Sequence, residues 1–208
     1  MTRADLEREM LVVLHRGRRG NPDVWLADSE RGLVVVKDYA ARPRWLRATL
    51  GRLALRREQR AYAALADHPN VPRCYGRLDA DALLLEHRGG PRLSARRPWT
   101  FSAEYFRALE RSVAGLHARG VLHLDLGHRS NLRADLRGEP VLIDFASALT
   151  LPTRSAAARL LLRALGWLDR RAVRKWARRL RRAAARDQGV EAAAGGSSGG
   201  GSGARRAM

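Results

Sequence analysis

Cysteine and lysine are scarce in this 208-residue chain: Cys74 is the one cysteine, and of 40 basic residues only Lys37 and Lys175 are lysines. A single thiol closes no internal disulfide, so nothing calls for an oxidising compartment. Long apolar runs are missing as well. The opening MTRADLEREMLVVLHR mixes acids with bases and holds only a five-residue apolar run, too short for a signal-peptide core. No stretch approaches the ~20 apolar residues that a bilayer-spanning helix needs. The sequence therefore predicts a cytoplasmic protein, soluble or peripheral at the cytoplasmic face of the inner membrane. Acids are outnumbered, 21 against 40, and a net charge of +19 suits a polyanionic partner such as RNA or an anionic membrane surface, while the near-exclusive use of arginine also reads as a compositional habit of the chain. Because arginine is the default cation here, a lysine at the end of a strand carries more information than usual.

With 45% hydrophobic residues the chain can build one substantial core, divided between two lobes with a cleft. A turn-rich GRRGNPD precedes two strand-like runs, VWLAD and GLVVVKDY, separated by SERG. From about Arg44 to Ala66 apolar residues recur at helical spacing, and HPNVP ends the run. Short β runs follow at CYGRL and ALLLEH, and Gly-Gly-Pro at 89–91 is a break. Ser102 then opens a helix whose Phe106, Leu109, Val113 and Leu116 share one face, with Gly120 at its end. Beyond Leu151-Pro152 the pattern is helical to about Arg186, followed by the Gly/Ser-rich GGSSGGGSG. The expected organisation is a strand-rich unit over residues 1–88, a helical unit with a short hairpin over 89–187, and a disordered tail over 188–208. The fold class is α+β.

The uncommon polar side chains gather in HLDLGHRSNLRADLRGEPVLIDF, residues 123–145. Val121-Leu122-His123 reads as a strand end and Leu126 to Arg133 as a loop returning to a strand. Pro140 to Ile143 is then the second arm of a hairpin turned at Asp135 and Gly138. Asp125, Asn131 and Asp144 emerge together at one edge. Two carboxylates and an amide oxygen suit a hard cation such as Mg²⁺, which shares its oxygen ligands with phosphate. Taken singly, the same residues also fit turn caps and a strand end.

Upstream, Lys37 shares a strand face with Leu33 and Val35, and alone it also fits a solvated strand end. Glu58 falls in a helix stripe with Leu55, Tyr62 and Leu65, where a carboxylate needs a partner. Lys37 is the candidate, and a surface pair with Arg57 is the alternative. His15, His68, His87, His117 and His128 show no metal-ligand spacing and read as surface or packing residues.

Together these residues resemble the protein-kinase-like superfamily. His123-Leu124-Asp125, Asn131-Leu132 and Ile143-Asp144-Phe145 are similar to its H-R-D, N and D-F-G elements, and Val34-Val35-Val36-Lys37 to its V-A-I-K element. The resemblance covers roughly residues 17–148. No long activation segment follows Asp144, which makes the chain more similar to compact bacterial members: RIO-like serine/threonine kinases and lipopolysaccharide core kinases acting on Kdo or heptose. Gly17 and Gly20 form a reduced glycine loop, Ala146 replaces the D-F-G glycine, Leu124 the H-R-D arginine, and one extra residue separates Asp125 from Asn131.

The resemblance implies a two-lobed fold with a small strand-rich N-lobe and a short helical C-lobe. The implied activity is ATP-dependent, Mg²⁺-assisted transfer of the γ-phosphoryl group to a hydroxyl of a protein serine or threonine, or of a lipopolysaccharide sugar. In that scheme Lys37 holds the nucleotide's phosphates beside Val35, Glu58 positions Lys37, and Asn131 with Asp144 binds Mg²⁺. Asp125 takes the acceptor's proton, Gly17 and Gly20 cover the phosphates, and the backbone of Glu86 and His87 meets the adenine. The reading from another class is a pseudokinase, a kinase-like fold acting as a non-catalytic basic binding module.

The segment RSAAARLLLRALGWLDRRAVRKWARRLRRAAAR carries one apolar stripe at Leu161, Leu165 and Leu168 and another at Val173, Trp176 and Leu180. These predict a pair of helices packed on the larger lobe, with contact to anionic lipid or RNA as the functional alternatives.

Overall fold

The computed structural model describes residues 2–18, 20–94 and 101–195, with side chains described as far as Arg186. Arg19 of the glycine loop and the Gly/Ser-rich residues 196–208 lie outside the described residues.

The chain is α+β and opens on a short helix, α1 (Arg3–Arg8). A capping box starts it: Asp5 N–H donates to Thr2 Oγ1, and Thr2 N–H donates to the Asp5 carboxylate at 2.7 Å. Five strands follow, β1 (Met10–His15), β2 (Asp23–Ala27), β3 (Val34–Asp38), β4 (Cys74–Arg77) and β5 (Ala82–Glu86). They form one antiparallel sheet in the order β1-β2-β3-β5-β4. The N-terminal apolar run is an edge strand whose pairing with β2 is interrupted by two register shifts.

Strand alternation sorts the sheet's two faces. Trp25, Ala27, Val34, Val36, Ala82 and Leu84 close around Leu6 of α1. Leu83 and Leu85 join the larger core, with half-buried Val35 packed against it. The helix expected from Arg44 begins as α2 (Arg44–Leu46), passes through a π-helical turn over Arg47–Gly51 and continues as α3 (Arg52–Ala64). A Cβ at Gly51 would lie 3.0 Å from the Tyr39 ring, so glycine lets helix and sheet approach closely there.

In the second half, Ser102 caps α4 (Ala103–Ala118) by accepting from Tyr105 N–H at 3.2 Å. Phe106, Leu109, Val113 and Leu116 are all buried, as their spacing predicts. Gly120 (φ +78°) ends the helix where a Cβ would sit 2.2 Å from the Leu151 carbonyl oxygen. Four short strands follow: β6 (Val121–Leu122), β7 (Leu132–Ala134), β8 (Pro140–Leu142) and β9 (Leu149–Thr150). β7 and β8 form the expected hairpin, with Asp135 Oδ1 accepting from the N–H groups of Arg137 and Glu139. β6 pairs instead with β9, a partner too short to show a sequence period.

The last element corrects the expected pair of helices. α5 (Ala156–Gly195) is continuous, and its backbone runs past the boundary at 187 set for the tail. Its buried face follows Ala158, Leu162, Gly166, Asp169, Val173, Trp176 and Leu180, while Leu161 and Leu168 of the first expected stripe are exposed. Gly166, within the span of the first expected stripe, is not a break. It packs where a Cβ would be 3.1 Å from the His117 ring, and its helix-weakening effect is outweighed by the Ala-, Leu- and Arg-rich flanks. Among the described residues no helix is long and apolar enough to cross a membrane.

The Gly-Gly-Pro break is a tight crossing. Ala134 N–H donates to the Pro91 carbonyl at 3.0 Å, and Leu93 N–H to that of Leu132 at 3.1 Å. Gly90 has φ +119°, and a Cβ on it would stand 1.7 Å from the Ala134 oxygen. At Gly89 the nearest atom to a Cβ is a His87 carbon at 3.4 Å. We expect Gly90→Ala to cost at least ~2 kcal/mol, a fall of about 4–8 °C in unfolding midpoint for a chain of this size, and Gly89→Ala to leave the midpoint nearly unchanged. Thermal unfolding of the two variants checks this.

Candidate active site

Lys37 lies near the end of β3, opposite Val24 of β2 and Leu83 of β5. Its Nζ donates to Glu58 Oε1 at 2.6 Å and to Asp144 Oδ1 at 2.7 Å. The Lys37 and Glu58 side chains are 10% and 2% exposed, and that of Asp144 is 45% exposed. Leu55, Tyr62 and Leu65 are buried beside Glu58, so the inward stripe forms and the pair is with Lys37, not Arg57. Burial works against the Lys37 ammonium, but the Glu58 and Asp144 carboxylates outweigh it and hold the group above the ordinary lysine range. Burial pushes the Glu58 carboxyl up, with Lys37 pulling it back. Lys37 holds Asp144 below the usual carboxylate range. The result is a fixed positive charge with a buried carboxylate behind it and a half-exposed one beside it.

The second half of the site hangs on two strained residues. Among the described non-glycine residues only Leu124 (φ +62°) and Asp144 (φ +67°) have positive φ, a conformation that costs roughly 1–2 kcal/mol each. His123 bridges the segments that contain them. Its Nε2 lies 3.1 Å from the Ile143 carbonyl oxygen, which only accepts, so Nε2 carries the proton, and Nδ1 accepts from Asp125 N–H at 3.3 Å. This is the neutral tautomer, and burial lowers the pKa of the ring accordingly. The same ring packs on Phe145 at a centroid distance of 4.7 Å, and Phe145 meets Tyr62 of α3 edge-on at 5.0 Å.

A 3₁₀ turn spans Arg129–Asn131. Asn131 Nδ2 donates to Asp125 Oδ2 at 2.8 Å and to the Asp125 carbonyl at 3.0 Å. The Asn131 carbonyl accepts from Ile143 N–H at 3.0 Å, which sets Asn131 one residue from Asp144 across the hairpin end. Asp125, Asn131 and Asp144 are thus brought to one region, as the hairpin reading predicts. Their donors are oxygens, the right kind for Mg²⁺. Among the described residues no three or more His, Cys, Asp or Glu are grouped to hold a metal, and Asn131 Oδ1 accepts from Ser130 Oγ at 3.0 Å.

Asp169 of α5 is the residue that sequence reasoning missed. It is 1% exposed; Oδ2 accepts from His123 N–H at 2.9 Å and His117 Nε2 at 3.0 Å, and Oδ1 accepts from Leu124 N–H at 2.9 Å. A carboxylate from one helix therefore satisfies the backbone of the strained loop, and Trp176 Nε1 adds a bond to the Leu126 carbonyl at 3.1 Å. A signal existed: Asp169 is the only acid between Arg154 and Arg186, and it is in helical register with Leu162, Val173 and Trp176. His68 is also more than a packing residue. It accepts from Asn70 N–H at 3.2 Å through Nδ1, while Nε2 lies 3.1 Å from the Ser112 carbonyl, joining the end of α3 to α4.

Two expected nucleotide contacts are engaged inside the protein. Gly17 N–H donates to Asp23 Oδ1 at 2.7 Å, and Arg42 clamps both the Gly17 carbonyl and Asp23 at 2.7 and 2.9 Å. Gly20 sits in the same β1–β2 connection at φ +93°. At the other expected contact, Glu86 N–H donates to the Arg73 carbonyl at 2.8 Å and His87 N–H to the Leu33 carbonyl at 3.1 Å. Neither N–H is free to meet an adenine ring.

No protein-family model matches the chain, and no curated protein matches it.

Two outcomes follow from the loop network. Asp169→Asn puts an amide N–H among three donors, and we expect a loss of roughly 3 kcal/mol, read as a fall of about 6–12 °C in thermal midpoint. His123 is held below its ordinary pKa by burial, so its contribution to stability is full above about pH 6.5 and declines as pH falls through the folded value. His68 and His87 are lowered in the same direction. The midpoint should drop from about pH 7.5 to about pH 5, and His123→Gln should flatten that slope without abolishing it.

Proposed function

We propose that this chain is an ATP-dependent phosphotransferase with a two-lobed kinase-like arrangement, transferring the γ-phosphoryl group to a hydroxyl. The observation that carries the reading is the Lys37 ammonium, bonded at once to buried Glu58 and half-exposed Asp144. The Asp125–Asn131 pair one hairpin residue away supports it. A surface cation needs no buried counter-charge, whereas a cation that must meet phosphate oxygens at a defined point does.

In this mechanism Glu58 fixes the ammonium and Lys37 binds phosphate oxygens. Asn131 and Asp144 would hold Mg²⁺, which when bound neutralises phosphate charge and polarises the phosphoryl group. Asn131 Nδ2 steadies the Asp125 carboxylate. Asp125 accepts the hydroxyl proton as the acceptor oxygen bonds to the γ-phosphorus; the bond from that phosphorus to the bridging oxygen breaks, and ADP leaves with its electron pair. The resemblance to RIO-like enzymes favours a protein serine or threonine as acceptor, and the lipopolysaccharide kinases make a sugar hydroxyl the second choice. A cytoplasmic location suits a reaction that draws on ATP.

One observation favours the other reading, a non-catalytic basic module: the N–H groups of Gly17, Glu86 and His87 are all engaged within the protein.

Thermal unfolding with Mg²⁺-ATP separates the two. At a hundred times its dissociation constant the ligand adds about 2.7 kcal/mol, which should raise the midpoint by about 5–10 °C. Asp144→Ala should lose the Mg²⁺-dependent part of that rise. Asp125→Ala should retain the rise while phosphoryl transfer falls by ~10²–10⁴. A well-folded protein with neither a shift nor transfer is the binding module instead.

A further inference from the structure

α5 has two faces, and only one is used by the fold. Opposite the buried stripe that carries Asp169 and Trp176 lie Leu160, Leu161, Trp167 and Leu168, exposed to 69, 40, 47 and 39%. By helical spacing Leu160 lines up with Trp167 and Leu161 with Leu168, two lines about 100° apart that edge one broad outer face over about two turns, a span of roughly 12 Å. Continuing along the same face toward the C-terminus, the helix presents Arg171, Lys175, Arg178 and Arg182. Every arginine and lysine of α5 from Arg159 to Arg186 is exposed, the one acid in that span is the buried Asp169, and among the described residues none of these cations is in an ion pair. Beside the apolar patch a recess of about 600 Å³ is lined by His117, Thr153, Arg159, Leu160, Arg163 and Arg170.

The outer face therefore presents uncovered leucine and tryptophan beside uncompensated positive charge. A second copy of the chain would bring a further +19 onto it, so self-association is opposed electrostatically. RNA would satisfy the arginines and leave the leucines in water. A surface that is anionic outside and apolar a few ångströms deeper satisfies both. We infer that α5 docks on an anionic phospholipid bilayer. Leu160, Leu161, Trp167 and Leu168 enter the boundary between headgroups and acyl chains, Arg159, Arg163 and Arg170 take headgroup phosphates in the recess, and the basic C-terminal half lies along the headgroup layer. Trp167 suits this depth, with Arg171 over its ring at 5.7 Å pairing a cation with an amphipathic aromatic. The inference stands independently of phosphotransfer.

The test is flotation of the full chain with phosphatidylcholine vesicles, with and without phosphatidylglycerol, at low and physiological salt. The chain should float with the anionic vesicles alone. Leu160→Ser with Trp167→Ser should reduce partitioning on the order of a hundredfold, with an unchanged unfolding midpoint because both side chains are exposed. Arg163→Glu with Arg170→Glu should weaken it at least about tenfold. Undiminished flotation of the Leu160/Trp167 variant means adhesion by charge alone and overturns the docking. Equal flotation with both vesicle types overturns the role of the arginines. An RNA hairpin bound tightly by wild type and variant alike, with no flotation, makes the helix a nucleic-acid surface. A lipid-free dimer that the Leu160/Trp167 variant abolishes makes the face a self-interface, and either result overturns the inference.

Discussion

A lysine ammonium taken out of water is tolerable only if opposite charge comes with it, and Lys37 brings together three parts of the chain to meet that need. Glu58 comes from α3, Asp144 from the end of the β7–β8 hairpin, and Lys37 from the centre of the five-stranded sheet. Remove Lys37 and the buried Glu58 carboxylate is left unpaired, at a cost of several kcal/mol, so sheet and helix are fixed relative to one another by charge as well as by packing, and Asp144 ties the hairpin to the same ammonium. The half-exposed position of Asp144 leaves one side of this clamp open to solvent.

Around that clamp a second network, centred on the Asp169 carboxylate, holds a backbone that would not adopt its shape unaided. Leu124 and Asp144 both sit at positive φ, and the groups that stabilise them belong to other elements: Asp169 from α5 accepts from the Leu124 and His123 N–H groups, and His123 donates to Ile143 beside Asp144. Strain of this kind persists where the surroundings over-determine it, and here it marks the segment that carries Asp125 and Asn131. α5 thus contributes to the site from behind without presenting a side chain to its open edge, while its opposite face remains available for another purpose.

The candidate site was legible in the sequence to the extent that it depends on local order. The stripe Leu55, Glu58, Tyr62, Leu65 announced an inward carboxylate because a helix repeats every 3.6 residues, and Lys37 stood out because lysine is rare beside arginine. Phe106, Leu109, Val113 and Leu116 were readable for the same reason. Asp169 was missed, although it is as buried as Glu58 and its register marked it as inward, because two of its three partners are backbone N–H groups some 45 residues away in sequence, which leave no mark on residue type. The availability of Gly17, Glu86 and His87 was illegible for a similar reason: whether an N–H is free depends on which carbonyl or carboxylate folds against it.

Composition and periodicity alone determined the α+β class, the single-thiol chemistry, the excess of positive charge and the inward place of Glu58, because each depends on residue type or on spacing within one element. Tertiary structure alone decided that α5 is one helix with two distinct faces, that β1 is an edge strand, that β6 pairs with β9, and that Lys37 is shared between two carboxylates. These depend on which distant segments reach one another and on which groups lose water when they do, and sequence periodicity does not record either.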